Sequence, residues 1–125
     1  MSALRILITG SRHWADERAI ESALLGATYN VPGDRITVVH GGAAGADRLA
    51  GKLADEWGMN VEVHPAEWDK HGKAAGPIRN QKMVDLGADV CLAFPLPGGR
   101  GTQHCMGAAS KAGIPVRVVE GQRDE

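Results

Sequence analysis

The sequence predicts an α/β fold with a mainly parallel sheet of about five strands. Three observations carry this. Short, β-branched apolar runs alternate with longer amphipathic segments along the chain. Several of these runs are nearly continuous in hydrophobicity, as strands covered on both faces require. Three of them lead straight into glycine-containing turns that open the next helical segment, and strand, turn and helix in that order build a parallel sheet.

The first strand is read over Leu4-Arg5-Ile6-Leu7-Ile8-Thr9 and ends at Gly10. A helix follows from the acidic start Asp16-Glu17, with Ile20, Ala23, Leu24 and Ala27 on one face. Arg35-Ile36-Thr37-Val38-Val39-His40 is the second strand, ending at Gly41-Gly42. Ala46, Leu49, Ala50, Leu53, Ala54 and Trp57 then repeat the helical spacing, and Gly58 stands where a C-terminal cap is expected. Asn60-Val61-Glu62-Val63-His64 gives a third strand, stopped by Pro65. Residues 67–76 form the one long connection without periodicity, and long loops in compact domains are usually functional or mobile. A third helix is predicted from Ile78 to Leu86, stopped by Gly87. Asp89-Val90-Cys91-Leu92-Ala93-Phe94 is the fourth strand. Thr102 to Ala112 is the fourth helix, stopped by Gly113 and Pro115, and Val116-Arg117-Val118-Val119 is the last strand. The polar stretch Gly121-Gln122-Arg123-Asp124-Glu125 reads as a frayed end.

At 125 residues the chain is expected to form one domain over residues 1–125. Aromatic residues are only 4%, so the core must be aliphatic and alanine-rich. The net charge of -1 gives no basic stripe for sequence-independent nucleic-acid binding, so a nucleic-acid partner is not expected. No apolar run approaches the ~20 residues needed to cross a bilayer, and Met1-Ser2-Ala3-Leu4-Arg5 lacks a signal-peptide pattern. Two cysteines, Cys91 and Cys105, make no disulfide framework. The expectation is a cytoplasmic protein with free thiols. His13, His40, His64, His71 and His104 include no pair spaced like zinc ligands, so neither a metal nor a cofactor is expected.

Function is most legible in the glycines. Seventeen of them are about twice the usual share of ~7%, and they cluster. Gly10-Ser11-Arg12, Gly41-Gly42-Ala43-Ala44-Gly45-Ala46-Asp47 and Gly98-Gly99-Arg100-Gly101-Thr102 all follow strands. In a parallel sheet such turns share the carboxyl edge, where ligands bind. Glycine lets backbone approach a ligand, and free N–H groups at helix starts attract anions. The three turns together read as a cradle for a phosphate or ribose-phosphate. Neither the dinucleotide fingerprint G-x-G-x-x-G after the first strand nor a P-loop G-x-x-x-x-G-K-[ST] is present.

These turns, together with Pro65-Ala66-Glu67-Trp68 and Gly76-Pro77-Ile78-Arg79-Asn80, resemble the SLOG superfamily. That is the Rossmann-like group that includes LOG and the DNA-processing protein DprA, and the YspA-related branch is the nearest match. The resemblance covers about residues 4–119. It implies a Rossmann-like three-layer fold and a site for a nucleotide or nucleotide-derived ligand. Ligand-binding candidates are Gly10, Ser11, Arg12, Gly41, Gly42, Ala43, Gly45, Asp47, Arg79, Asn80, Gly98, Gly99, Gly101, Thr102 and His104. Arg12 offers a guanidinium fork to phosphate, and Thr102 can cap its helix. Trp14 and Trp68 could stack on a base, although burial is the commoner fate of such rings. Arg79 matches the arginine of LOG enzymes, which release the base from a nucleoside 5'-monophosphate. The glutamates that follow the P-G-G-x-G-T turn in LOG are replaced by Gln103-His104-Cys105. A carboxylate stabilises the positive charge that builds on the sugar; one from elsewhere, Asp47 or Glu67, could substitute, with Arg79 as the third catalytic candidate. Binding or sensing of a nucleotide-derived small molecule is therefore the leading expectation. LOG-like N-glycosidic or phosphate-bond hydrolysis is the alternative, and DprA-like single-stranded DNA binding a weaker one. SLOG relatives are often dimers. That and the small residues Gly107, Ala108, Ala109 and Ala112, with Ala74, Ala75 and Gly76, point to a two-fold homodimer.

Overall fold

A computed structural model describes residues 3–120, so the polar stretch 121–125 lies outside the described residues. Five strands, β1 (Leu4–Gly10), β2 (Ile36–His40), β3 (Asn60–Val63), β4 (Val90–Phe94) and β5 (Val116–Val118), form one sheet in the order β3-β2-β1-β4-β5. Every pairing is parallel. Connections run outward from β1 to β3 and then cross to β4 and β5. The order therefore reverses beside β1, where a crevice opens at the carboxyl edge of such sheets.

Alternation along the strands divides the core into two layers. Ile6 and Ile8, Ile36 and Val38, and Val90, Leu92 and Phe94 face one side. There they meet Ile20 and Leu24 of α1 (Glu17–Ala27) and Ala46, Ala50 and Ala54 of α2 (Ala46–Glu56). Leu7, Val39 and Cys91 face the other side. They pack on Met83 and Val84 of α4 (Ala75–Leu86) and on Cys105 and Ala109 of α5 (Arg100–Lys111). The alanine stripe lets α2 lie close to the sheet, and Asp16 caps α1 by accepting the Ala19 N–H at 3.2 Å. Among the described residues no helix is long and apolar enough to cross a membrane.

Two helices begin earlier than their periodicity suggests. The long connection holds a helical turn, α3 (Trp68–His71), and a 3-10 turn, Gly72–Ala74, that runs directly into α4 at Ala75 rather than Ile78. Pro77 thus falls in the first turn of α4, where a missing N–H leaves no intrahelical bond unmade. The last helix starts at Arg100, with Gly99 as its N-cap and no side-chain cap bond. Thr102 is therefore inside the first turn and does not cap it.

The close fit of α2 to the sheet makes a testable contrast between glycines. A methyl group on Gly10 would stand 2.5 Å from the Ala46 Cβ and 3.0 Å from the Phe94 carbonyl oxygen. Gly10→Ala should cost about 1–3 kcal/mol by overpacking. Gly107, inside α5, has nothing within 4 Å of that position. Gly107→Ala should instead stabilise by roughly 0.5–1 kcal/mol. Urea unfolding of both variants tests this, and equal effects of one sign would contradict it.

Candidate functional site

The glycine turns do converge on the carboxyl edge, but they serve different ends. In the β1–α1 turn, the Ser11 N–H donates to the Phe94 carbonyl at 2.9 Å, and the Ser11 carbonyl accepts from Trp14 and Ala46. The Ser11 hydroxyl accepts the His13 N–H at 3.0 Å. Gly45, at φ +78, is needed because its position lies against the Ser11 carbonyl and the Arg12 backbone. Gly10 and Gly45 are thus explained by packing within the protein. The Arg12 side chain is exposed and makes no hydrogen bond or ion pair among the described residues.

Three donors of the β2–α2 turn are occupied as well. Asp47, in the first turn of α2, is 5% exposed. Its Oδ2 accepts the N–H groups of Gly41 at 3.0 Å and Ala43 at 3.3 Å. The Gly42 N–H donates to His40 Nδ1 at 2.9 Å, so that nitrogen is unprotonated. Burial is the main force on both groups. It pushes the Asp47 carboxyl up to about 6, partly offset by the Ala43 N–H, Arg79 and the Gly41 N–H. It lowers His40, helped by the nearby Arg79 and His64.

Arg79 and Asn80 tie the edge together from α4. Arg79 Nη1 donates to the carbonyls of Gly41 at 2.8 Å and His64 at 3.3 Å, and its Nε donates to Asn80 Oδ1 at 2.8 Å. Gly41 must be glycine for this, since a Cβ there would fall on the guanidinium. Asn80 Nδ2 donates to the Gly101 carbonyl at 3.2 Å and lies 3.4 Å from His104 Nδ1. A hydrogen-bonded line therefore crosses from β2 and β3 to the start of α5. Arg79 and Glu67, with His64, His71 and Lys82, line a cleft of about 320 Å³ beyond β3. His64 is itself held by Glu62 at 2.8 Å, and Arg5 holds that carboxyl down at about 2.

A larger cleft, about 590 Å³, opens at the β4–α5 turn. Pro95, Leu96 and Pro97 form its apolar side, Gly98 and Gly99 its base, and Arg100, Gln103 and Glu120 its polar rim. Here the protein's own atoms do not crowd the glycines. A Cβ on Gly98 or Gly101 would meet nothing within 4 Å, and one on Gly99 only ordinary contacts, the nearest at 3.4 Å. Gly98 needs its φ of +86, but Gly101 is a helical glycine without a steric neighbour. The N–H groups of Arg100, Gly101 and Thr102 donate to no acceptor among the described residues. The Thr102 side chain is 4% exposed, has no hydrogen-bond partner there, and its hydroxyl oxygen stands 3.7 Å from the Cβ position of Gly99.

The structure thus separates the candidates read from sequence. Gly98 and Gly99 line the larger cleft, Gly101 and Thr102 follow them in the first turn of α5, and Asn80 links Gly101 to His104. Glu67 and Arg79 face the smaller one, and Asp47 is turned inward onto backbone. Glu120 was missed. The available signal was topological, since β5 pairs parallel with β4 and a residue just past it must leave at the same edge. Trp14 is 3% exposed and packs edge-on against Phe94 with ring centres 5.3 Å apart, whereas Trp68 is 58% exposed. Cys91 and Cys105 are buried thiols, and burial pushes Cys91 up to about 12. Among the described residues no three His, Cys, Asp or Glu side chains are grouped to hold a metal ion.

A five-stranded parallel α/β sheet with its clefts on the carboxyl edge defines a Rossmann-like ligand-binding architecture. The chain belongs to the YspA, cpYpsA-related SLOG family, whose profile matches residues 4–71. It is 53% identical over 119 residues to the Gene 61 protein of Mycobacterium phage D29, covering 90% of this chain and 93% of that relative. The fold is similar to DNA processing protein A from Helicobacter pylori, a structure concerned with its single-stranded DNA binding mode. That similarity has a TM-score of 0.68 at 17% identity, over 99% of this chain and 68% of that one. The C-terminal domain of a hydrogenase from Pyrococcus furiosus gives a TM-score of 0.51 at 15% identity, over 94% and 92% of the two chains. At these identities the two structures speak to the fold alone.

Asp47 carries a pH signature. Its carboxyl ionises near 6 when folded against an ordinary 3.8, so the native state binds more protons than the unfolded chain between those values. This group's contribution to stability therefore declines as pH rises from about 4 to about 6. In urea unfolding, the stability of the wild type relative to Asp47→Asn should fall across that window. A difference that stays constant with pH would mean that Asp47 does not titrate there.

Proposed function

We propose that the chain binds a nucleotide or nucleotide-derived small molecule in the β4–α5 cleft, with a phosphate at the start of α5. The observation that carries this is the contrast between turns. At β1–α1 and β2–α2, Gly10, Gly41 and Gly45 and the N–H groups of Ser11, Gly41, Gly42 and Ala43 are engaged by the protein's own atoms. Those at β4–α5 border open space and await a partner. Unpaired N–H groups at a helix start, with the helix dipole behind them, favour an anion, and Arg100 adds a full positive charge to the rim. The Pro–Leu–Pro side suits the flat apolar face of a base. Family membership supports the same class of ligand.

The hydrolase reading has one observation in its favour, that Glu67 and Arg79 share a cleft. The glycine-rich turn lies in the other cleft, however, and Asp47 is bound to backbone N–H groups, so no catalytic carboxylate from the candidate set joins the phosphate seat. Incubation of a nucleotide panel with the protein, followed by chromatography for freed base or phosphate, separates the readings. Single-stranded DNA binding lacks a stacking platform, since Tyr29 and Trp68 are the only well-exposed aromatic rings among the described residues and sit on different elements.

Ligand that binds only the native state raises its melting temperature. Nucleoside monophosphates should raise it more than the matching nucleosides, and silence across a millimolar panel would remove the phosphate seat. Gly99→Ala leaves backbone and neighbours undisturbed, because φ is -79 and the nearest contact is ordinary. It should weaken binding by about 1–3 kcal/mol through lost room, at unchanged stability.

Assembly as a two-fold dimer is part of the proposal. Ala75, Gly76 and Ala109 are buried within the monomer, so the small-residue stripe is partly consumed by α4 packing on α5. Val61 and Val63 on the edge strand β3 remain exposed, and exposed apolar edges favour pairing. Light scattering during size exclusion at tens of micromolar should give twice the chain mass, and a monomer's mass would end that part.

A further inference from the structure

We propose that Glu120 reads the sugar of the ligand, its carboxylate accepting hydrogen bonds from the 2'- and 3'-hydroxyls, so that the β4–α5 cleft takes ribonucleotides in preference to their dideoxy counterparts. The inference rests on the phosphate-seat reading above and deepens it. Glu120 and Arg100 line the same cleft, yet they form no ion pair with each other or with any other described residue. Both residues are exposed, so two opposite charges stand open in one cleft and fit a ligand of two characters. Arg100 and the free N–H groups of α5 can only donate, so they suit the phosphate. A carboxylate can only accept, so it repels phosphate and needs donors from the rest of the ligand. In a nucleotide the donors nearest the phosphate are the ribose hydroxyls, and a vicinal pair can occupy both oxygens of one carboxylate. Gln103, a neutral amide on the same rim, can donate or accept beside them. The placement follows from topology. β5 is hydrogen-bonded to β4 in parallel, and the Val119 N–H still donates to the Ala93 carbonyl at 2.8 Å. That bond fixes the chain one residue before Glu120 at the mouth of the cleft.

The test compares each of the four ribonucleoside 5'-monophosphates with its 2',3'-dideoxy form, and with inorganic phosphate, by calorimetry on wild type, Glu120→Gln and Glu120→Ala. The wild type should prefer the ribose form of whichever base binds by roughly tenfold, the worth of a hydrogen bond to a charged group. Glu120→Ala should remove that preference, Glu120→Gln should retain a part of it, and neither should weaken inorganic phosphate. Binding of both sugar forms with equal affinity to the wild type overturns the role of Glu120 while leaving the phosphate seat standing. So does a preference that survives in Glu120→Ala, or an equal loss of both forms in that variant, which would place Glu120 on the base. Failure of every nucleotide and of inorganic phosphate to bind overturns the seat itself, and Glu120's role with it.

Discussion

A carboxylate taken out of water must be neutralised or surrounded by donors, and Asp47 meets that demand with the N–H groups of Gly41 and Ala43. Much of the carboxyl edge follows from this. With the β2–α2 turn fixed, the Gly41 carbonyl faces the Arg79 guanidinium. Arg79 in turn orients Asn80, and Asn80 holds the Gly101 carbonyl in the first turn of α5. The residues that look most like ligand contacts in a linear reading are thus the frame. The cleft beside them is positioned by the frame and is not part of it.

The strands and their parallel order were legible in the sequence because burial on two faces leaves a nearly continuous apolar run, and the runs at β1, β2 and β4 have it. The helix starts were less legible. Pro77 looks like a boundary, yet it is tolerated inside the first turn of α4. Thr102 looks like a cap, yet Gly99 takes that position. The glycines illustrate the deeper limit. One required by a neighbouring guanidinium, as Gly41 is, and one that borders solvent, as Gly101 does, are the same letter. Only the packing around each tells them apart.

The two clefts differ in charge as well as in place. The one beyond β3 gathers Arg79, Lys82 and two histidines around one glutamate, and its guanidinium is already bound to carbonyls. The one at β4–α5 balances a single arginine against a single glutamate. Under the proposed reading, the charge-neutral cleft selects by the arrangement of donors and acceptors rather than by bulk attraction. Long-range steering of anions is correspondingly weak there.

The all-parallel sheet also sets the order in which the molecule can come together. The central strand is the first in the chain, and its partner β4 lies far along it, so that the Arg5 N–H reaches Asp89 across 84 residues. Such ladders close only after long loops have been drawn in, and proteins dominated by them fold slowly. Pairing of β5 comes from the far end of the sequence, and with it the wall that carries Glu120. A chain emerging from the ribosome can pair β1 with β2 and β3 and set α1 and α2 against them before β4 and the β4–α5 cleft exist. The cleft is then the final product of folding, and a chain stalled short of β5 would carry most of the fold with that cleft open and incomplete.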